Sequence, residues 1–108
     1  MVKISTKKEF ENILNENEGK TIILKFGAEW CGPCKVMETT INNVEKEEQA
    51  NAVFVECDVD EVDEKDPDFL EENKVMNIPL MLFYKDKLIY DRTVGLLSSK
   101  ELMGKLKK

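Results

Sequence analysis

Residues 21–35 have the sequence TIILKFGAEWCGPCK and contain two of the three cysteines of the chain. The first six of these residues are rich in β-branched and apolar side chains, which predicts a central strand buried on both faces. After a short connector, a helix is expected to begin between Cys31 and Cys34. Pro33 then falls in its first turn, where the missing amide hydrogen costs nothing. The two cysteines therefore lie where a strand passes into a helix.

The Cys31-Gly32-Pro33-Cys34 spacing favours redox chemistry. Unpaired amides and the positive end of the helix dipole stabilise a thiolate at a helix start. The spacer brings the second sulfur one turn inward, close enough for a disulfide. The first thiolate can attack a substrate disulfide, and the second thiol can resolve the mixed disulfide. A lone C-x-x-C also occurs by chance or as half of a zinc site, but a four-ligand site here would need Cys57 and carboxylates.

Composition narrows the function classes further. The 108 residues are expected to form a single domain over 1–108 with its own core. Sixteen basic and 22 acidic residues give a net charge of −6, which argues against nucleic acid and anionic membranes as partners. The chain has no histidine, so imidazole-dependent catalysis and His-ligated zinc are excluded. The absence of a long apolar run or signal peptide, with Met1 at the start, leads us to expect a cytoplasmic protein.

The flanking elements predict an α/β fold in the order β-α-β-α-β-α-β-β-α, with a central mixed sheet flanked by helices. Capping boxes at Thr6-Lys7-Lys8-Glu9 and Ser98-Ser99-Lys100-Glu101 predict two helix starts. Asp66 followed by Pro67 predicts a short helix over residues 67–74. Residues 58–68 are strongly acidic, and we expect a solvated loop there rather than a calcium site. The predicted strands cover residues 2–4, 21–26, 52–57, 80–85 and 88–94.

The whole chain resembles the thioredoxin family. The resemblance rests on WCGPCK at residues 30–35, the preceding KFGAE, Ile78-Pro79 at a strand start, Val94-Gly95, and the element order. It implies the thioredoxin fold and a thiol–disulfide oxidoreductase that carries electrons to protein disulfides. It also implies a monomer without metal or cofactor, recharged by a thioredoxin reductase and acting on disulfide-containing proteins.

The same resemblance implies roles for individual residues. Cys31 would be the exposed nucleophile, and Cys34 the buried resolving thiol. Pro79 would follow a cis peptide bond and face the disulfide, the alternative being an ordinary trans strand start. An apolar rim would dock the substrate; its members would be Trp30, Gly32, Pro33, Ile78, Pro79, Gly95 and Leu96.

Two charges depart from the family pattern as a pair. The family typically has a buried Asp where this chain has Lys25, and a Lys where it has Glu56. We expect the two side chains to pair behind Cys34, with Glu56 moving the proton and Lys25 lowering the thiol pKa values. The alternative is two independent side chains whose charged ends reach solvent. Gly27 replaces a Trp, which is expected to loosen the packing beneath the site.

Other functions stay open from the sequence alone. The chain could be a thioredoxin-fold binding module or chaperone subunit that uses the apolar rim independently of redox turnover. It could also be a disulfide donor, although CGPC sites tend to be reducing. Cys57 lies in an apolar strand and is expected to be an inert core thiol, the alternative being a regulatory or dimer-forming thiol.

Overall fold

The computed structural model describes residues 1–48 and 51–107, which form a five-stranded mixed sheet in the order β1-β3-β2-β4-β5. β1, β3 and β2 are parallel, whereas β4 and β5 are antiparallel additions on the other side of β2. The strands are β1 (Val2–Ile4), β2 (Thr21–Gly27), β3 (Ala52–Asp58), β4 (Leu80–Lys85) and β5 (Leu88–Val94). The helices are α1 (Lys7–Glu16), α2 (Gly32–Glu48), α3 (Val59–Lys65), α4 (Pro67–Glu72) and α5 (Ser99–Leu106).

The predicted central strand is confirmed, since all seven residues of β2 are buried. Its successive side chains point to opposite faces of the sheet and so enter two separate cores. On one face, Leu24 and Phe26 lie in a core with the side chains of α1, α3 and α4. On the other face, Ile23 packs in a core with α2 and α5. Helices therefore cover both faces, and the fold predicted from the element order is confirmed.

The prediction of an acidic loop over residues 58–68 is wrong, because residues 59–65 form α3. The Asp58 carboxylate accepts hydrogen bonds from the amides of Asp60 and Glu61, at 2.9 and 3.2 Å. Such a cap satisfies amides that otherwise lack partners, and acidic residues in a first turn suit the helix dipole. Val62 is fully buried and anchors the helix to the core. The observed order therefore has one more helix than predicted.

Local details at the other caps differ from expectation. The Thr6 hydroxyl accepts a hydrogen bond from the Glu9 amide, as predicted. The Glu9 carboxylate accepts a hydrogen bond from the Ser5 amide, one residue before the expected donor, Thr6. The second capping box forms in full. Asp66 precedes α4 without capping it, because its carboxylate accepts from the Lys7 amide instead. α4 ends at Glu72, before the predicted end at residue 74.

β4 and β5 form the predicted hairpin. The two connecting residues, Asp86 and Lys87, have φ of 51° and 69°, as a tight hairpin turn requires. A register shift between Phe83 and Tyr84 interrupts the simple alternation expected along β5. Within residues 1–48 and 51–107, no helix combines the length and the apolar character needed to cross a membrane.

Candidate active site

Cys31 immediately precedes α2, and Cys34 lies in the first turn of that helix. The two residues form a disulfide, with their Cα atoms 5.2 Å apart. The backbone amide of Cys34 donates to Cys31 Sγ at 3.3 Å. This amide belongs to the group that has no partner within a helix, so it is free to stabilise negative charge on that sulfur.

The two cysteine residues differ in solvent exposure less than the sequence suggested. Cys31 is 7% exposed and Cys34 is 2% exposed. The expectation of an exposed nucleophile is therefore wrong for this disulfide state, because Ala28 and Ile78 pack around the pair. Cys31 still has the greater access of the two thiols.

The predicted pairing of Lys25 and Glu56 is present. The two residues are neighbours in the parallel register of β2 and β3, and Lys25 Nζ lies 3.6 Å from Glu56 Oε1. The ammonium also donates to the Cys34 carbonyl at 3.1 Å. Lys25 is almost fully buried, but the Glu56 side chain is 19% exposed, so the pair is buried on one side only.

Gly27 brings the end of β2 close to the disulfide. A Cβ at this position would lie 3.3 Å from both Cβ and Sγ of Cys34, and 3.4 Å from Lys25 Cε. Such distances are tight, so Gly27 permits the close approach of Cys34 to the end of β2. A polar cavity of about 300 Å³ opens beside it. Its lining includes Lys25, Gly27, Cys34, Glu38, Glu56, Cys57 and Asp58.

The segment before β4 lies opposite Cys31. The Ile78–Pro79 peptide bond is cis, as predicted. Cys31 Sγ lies 4.0 Å from the Ile78 carbonyl oxygen. The Gly95 amide donates to the Pro79 carbonyl at 2.8 Å, which joins this segment to the end of β5. Pro79 itself is buried, so it cannot offer exposed surface as a member of the predicted rim.

Most other rim residues reach solvent. Trp30 is 70% exposed, and Gly32, Pro33 and Leu96 are also exposed. Ile78 and Gly95 are half-buried. The sequence interpretation missed Met76, which is 87% exposed and lies two residues before Ile78. The signal was present, since Val75 and Met76 follow a polar stretch just before Ile78-Pro79.

The sequence interpretation also missed the partner of Trp30. The indole Nε1 donates to the Asp60 carboxylate at 2.8 Å. Asp60 belongs to α3, the segment expected to be a loop. A solvated loop offered no reason to expect a fixed acceptor for the indole, so this contact could not be predicted.

Cys57 is fully buried in β3 and has no disulfide partner. Burial raises the pKa of the Cys57 thiol to about 12, and nearby carboxylates add to this effect. A thiol with so high a pKa stays protonated and unreactive at neutral pH, in line with an inert core residue. Over the described part of the chain, no three Cys, Asp or Glu side chains are grouped as a metal site would need.

Known proteins resemble this chain over most of its length. The family model described as Thioredoxin matches residues 1–108. A thioredoxin of Mycoplasmoides gallisepticum is 31% identical over 107 residues, which are 99% of this chain and 100% of that protein. Thioredoxin 1 of Plasmodium falciparum is 36% identical over 96 residues, 88% of this chain and 86% of that protein. The X-ray structure of Fasciola hepatica thioredoxin matches with a TM-score of 0.86 at 29% identity, covering 99% of this chain and 97% of that chain.

These matches agree with the chemistry of the site. A dithiol that closes to a disulfide at a helix start can accept and return two electrons. The sequence likeness and the structural likeness both extend through the segments that hold this dithiol. The chain therefore belongs to the thioredoxin family and is a thiol–disulfide oxidoreductase, a protein-disulfide reductase of the thioredoxin type.

Proposed function

We propose that Cys31 attacks the substrate disulfide and that Cys34 resolves the mixed disulfide. The observation that carries this assignment is the hydrogen bond from the Cys34 amide to Cys31 Sγ. A donor at the helix start stabilises a thiolate on Cys31, whereas Cys34 is the more deeply buried of the two residues.

The reaction transfers two electrons in two exchanges. The Cys31 thiolate attacks one sulfur of the substrate disulfide, so that an intermolecular S–S bond forms and the other substrate sulfur leaves as a thiolate. Cys34 then loses its proton and attacks Cys31 Sγ. The Cys31–Cys34 bond forms, the intermolecular bond breaks, and the second substrate sulfur leaves as a thiolate. The substrate is reduced, and the protein is oxidised to the disulfide.

Lys25 and Glu56 would serve the second exchange. The Lys25 ammonium lies beside the Cys34 carbonyl and favours a thiolate on Cys34. Glu56 and Cys34 line the same polar cavity, which is large enough to admit water. Glu56 would take up the Cys34 proton through that water, and Lys25 would hold the carboxylate in place.

The substrate would dock across the apolar rim around Cys31. Trp30 and Leu96 supply exposed apolar surface, as do Gly32 and Pro33. Ile78 supplies a carbonyl within 4.0 Å of Cys31 Sγ. Met76 extends the rim with a flexible apolar side chain that can adapt to different partners.

We also propose a working context for the protein. The protein would act in the cytoplasm as a single domain and a monomer. Its substrates would be disulfide-containing proteins, and a thioredoxin reductase would return it to the dithiol state. The net charge of −6 supports the view that nucleic acid and anionic membranes are not its partners.

Reduction of insulin with dithiothreitol as the electron source tests the dithiol mechanism. Wild type should accelerate the reaction, and the Cys31→Ser/Cys34→Ser variant should not exceed the uncatalysed rate. The variant with both serines keeps the apolar rim, so it is the matched control for a binding module. Equal rates for wild type and this variant would favour the binding module and contradict the proposal.

A further inference from the structure

The guanidinium of Arg92, in β5, donates two hydrogen bonds to the backbone at the end of α4. Nη1 donates to the Asn73 carbonyl and Nη2 to the Lys74 carbonyl, each at 2.8 Å. These carbonyls follow the last turn of α4, where no later helical amide is available to them. Lys74 has φ of 52°, a left-handed conformation that is uncommon for a residue with a side chain. Arg92 thus fixes a turn that local preference alone does not favour.

The clamped turn leads directly to the segment that faces Cys31. The Val75 amide donates to the Leu70 carbonyl at 3.1 Å, which fixes the beginning of that segment. Its end is fixed by the 2.8 Å bond from the Gly95 amide to the Pro79 carbonyl. Arg92 lies in β5, and Gly95 is the first residue after that strand. The same stretch of chain therefore holds residues 75–79 at both ends.

We propose that Arg92 is a positioning residue for substrate docking. It acts through the Asn73 and Lys74 carbonyls on residues 75–79, which carry the exposed Met76 and the Ile78 carbonyl opposite Cys31. This inference rests on the proposed function, because it takes that segment to be one edge of the docking surface.

The chemistry of arginine explains why this residue suits the position. Its planar fork can donate to two successive carbonyls at once, whereas a lysine ammonium in the same place can hold only one of them well. The positive charge also suits the negative end of a helix. Loss of the clamp would leave the dithiol intact and let the docking edge shift, which weakens the binding of a protein substrate and leaves the exchange chemistry unchanged.

The test compares a protein substrate with a small one. Two rates are measured. The first is insulin reduction over a range of insulin concentrations, with dithiothreitol as the electron source. The second is single-turnover reduction of 5,5′-dithiobis(2-nitrobenzoate), which is too small to need the docking edge, by protein that has been reduced beforehand and freed of dithiothreitol. Arg92→Met should raise the KM for insulin by about three- to tenfold, with kcat and the small-disulfide rate within about twofold of wild type. Arg92→Lys should give an intermediate KM, since it restores one of the two hydrogen bonds.

Lys85→Met is the matched control. Lys85 Nζ donates at 2.8 Å to the Gly19 carbonyl, at the other end of β4 from Pro79, so this variant also removes a cationic side chain from a backbone carbonyl. It should leave the KM for insulin unchanged. An unchanged KM for Arg92→Met would overturn the inference, as would an equal loss on both substrates. A wild-type protein that reduces neither substrate would overturn the proposed function as well.

Discussion

Replacement of Lys25 tests the most unusual feature of the site, a buried ammonium behind the resolving thiol. Lys25→Met keeps an unbranched apolar stem of similar length and removes the charge. In the wild-type protein, Lys25 Nζ donates to the Cys34 carbonyl at 3.1 Å and pairs with Glu56 at 3.6 Å. We expect the variant to lower the thiolate fraction of Cys34 at any given pH, because a favourable positive charge is lost.

The size of the effect follows from the geometry around Gly27. An ideal Cβ there would be 3.3 Å from Cys34 Sγ and 3.4 Å from Lys25 Cε, so these two atoms are at most about 6.7 Å apart. The charged Nζ is one bond beyond Cε, so the two charges are at most about 8 Å apart, and at an effective dielectric constant of about 20 they interact by about 2 kcal/mol. A change of about 2 kcal/mol corresponds to about a thirtyfold change in the thiolate-to-thiol ratio. Glu56 opposes Lys25, so Glu56→Gln should change the ratio in the other direction.

The assay is a thiolate titration by ultraviolet absorbance in a Cys31→Ala background. Because the Cys57 pKa is about 12, Cys34 supplies the thiolate signal below about pH 10. The double variant Lys25→Met/Glu56→Gln removes both charges. Its thiolate-to-thiol ratio at Cys34 should therefore lie within a few-fold of the ratio in the background protein. It also avoids an unpaired carboxylate, which would cost a few kcal/mol of stability if it stayed buried. Identical titrations for all four proteins would refute an electrostatic role for Lys25.

Three further predictions concern separate parts of the site. Cys34→Ser should accumulate a mixed disulfide with substrate, detected by non-reducing electrophoresis, whereas Cys31→Ser should not; faster alkylation of Cys34 than of Cys31 at neutral pH would reverse the assignment. Cys57→Ala should keep insulin reduction within a few-fold of wild type. The raised pKa of this thiol, from 9.0 to about 12, stabilises the folded protein below pH 9, and that stability is lost as the pH rises toward 12. Between pH 9 and 12 the free energy of unfolding of wild type, measured with denaturant, should therefore fall by at most about 1.4 kcal/mol per pH unit because of this thiol. Cys57→Ala should not show that decrease. Asp60→Ala should free the single Trp30 indole, lower its fluorescence anisotropy, and cost about 1 kcal/mol or less of folding stability. Asp60→Asn retains an acceptor oxygen and should resemble wild type, and equal anisotropy in both variants would show that the hydrogen bond does not order the indole.

The sequence predicted the parts of the molecule that depend on local pattern. The apolar character of residues 21–26 predicted the central strand, and the C-G-P-C spacing predicted a dithiol at a helix start; the structure confirms both. Lys25 and Glu56 were predicted as a pair because opposite charges that replace a family pair preserve neutrality. Their register in adjacent parallel strands explains why the pair forms.

The remaining features depend on contacts between distant segments. Acidic composition suggested a loop at residues 58–68, although Asp58 caps a helix there and Val62 anchors it. Eighteen residues separate Arg92 from Lys74, and their hydrogen bond exists only because β5 passes the end of α4. No pattern within either segment reveals such a contact, since an arginine in a strand usually points to solvent.

The two halves of the site are built on different parts of the sheet, and this separation has a functional consequence. The side proposed to handle protons uses Lys25 and Glu56, which are fixed by the pairing of β2 with β3. The side proposed to face substrate uses residues 75–79, which are held from β5 through Arg92 and Gly95. Both sides contact the cysteine pair, since Lys25 Nζ donates to the Cys34 carbonyl and the Ile78 carbonyl oxygen lies 4.0 Å from Cys31 Sγ. Changes on the β2–β3 side should therefore alter the pH dependence of the reaction, and changes on the β5 side should alter the KM for protein substrates.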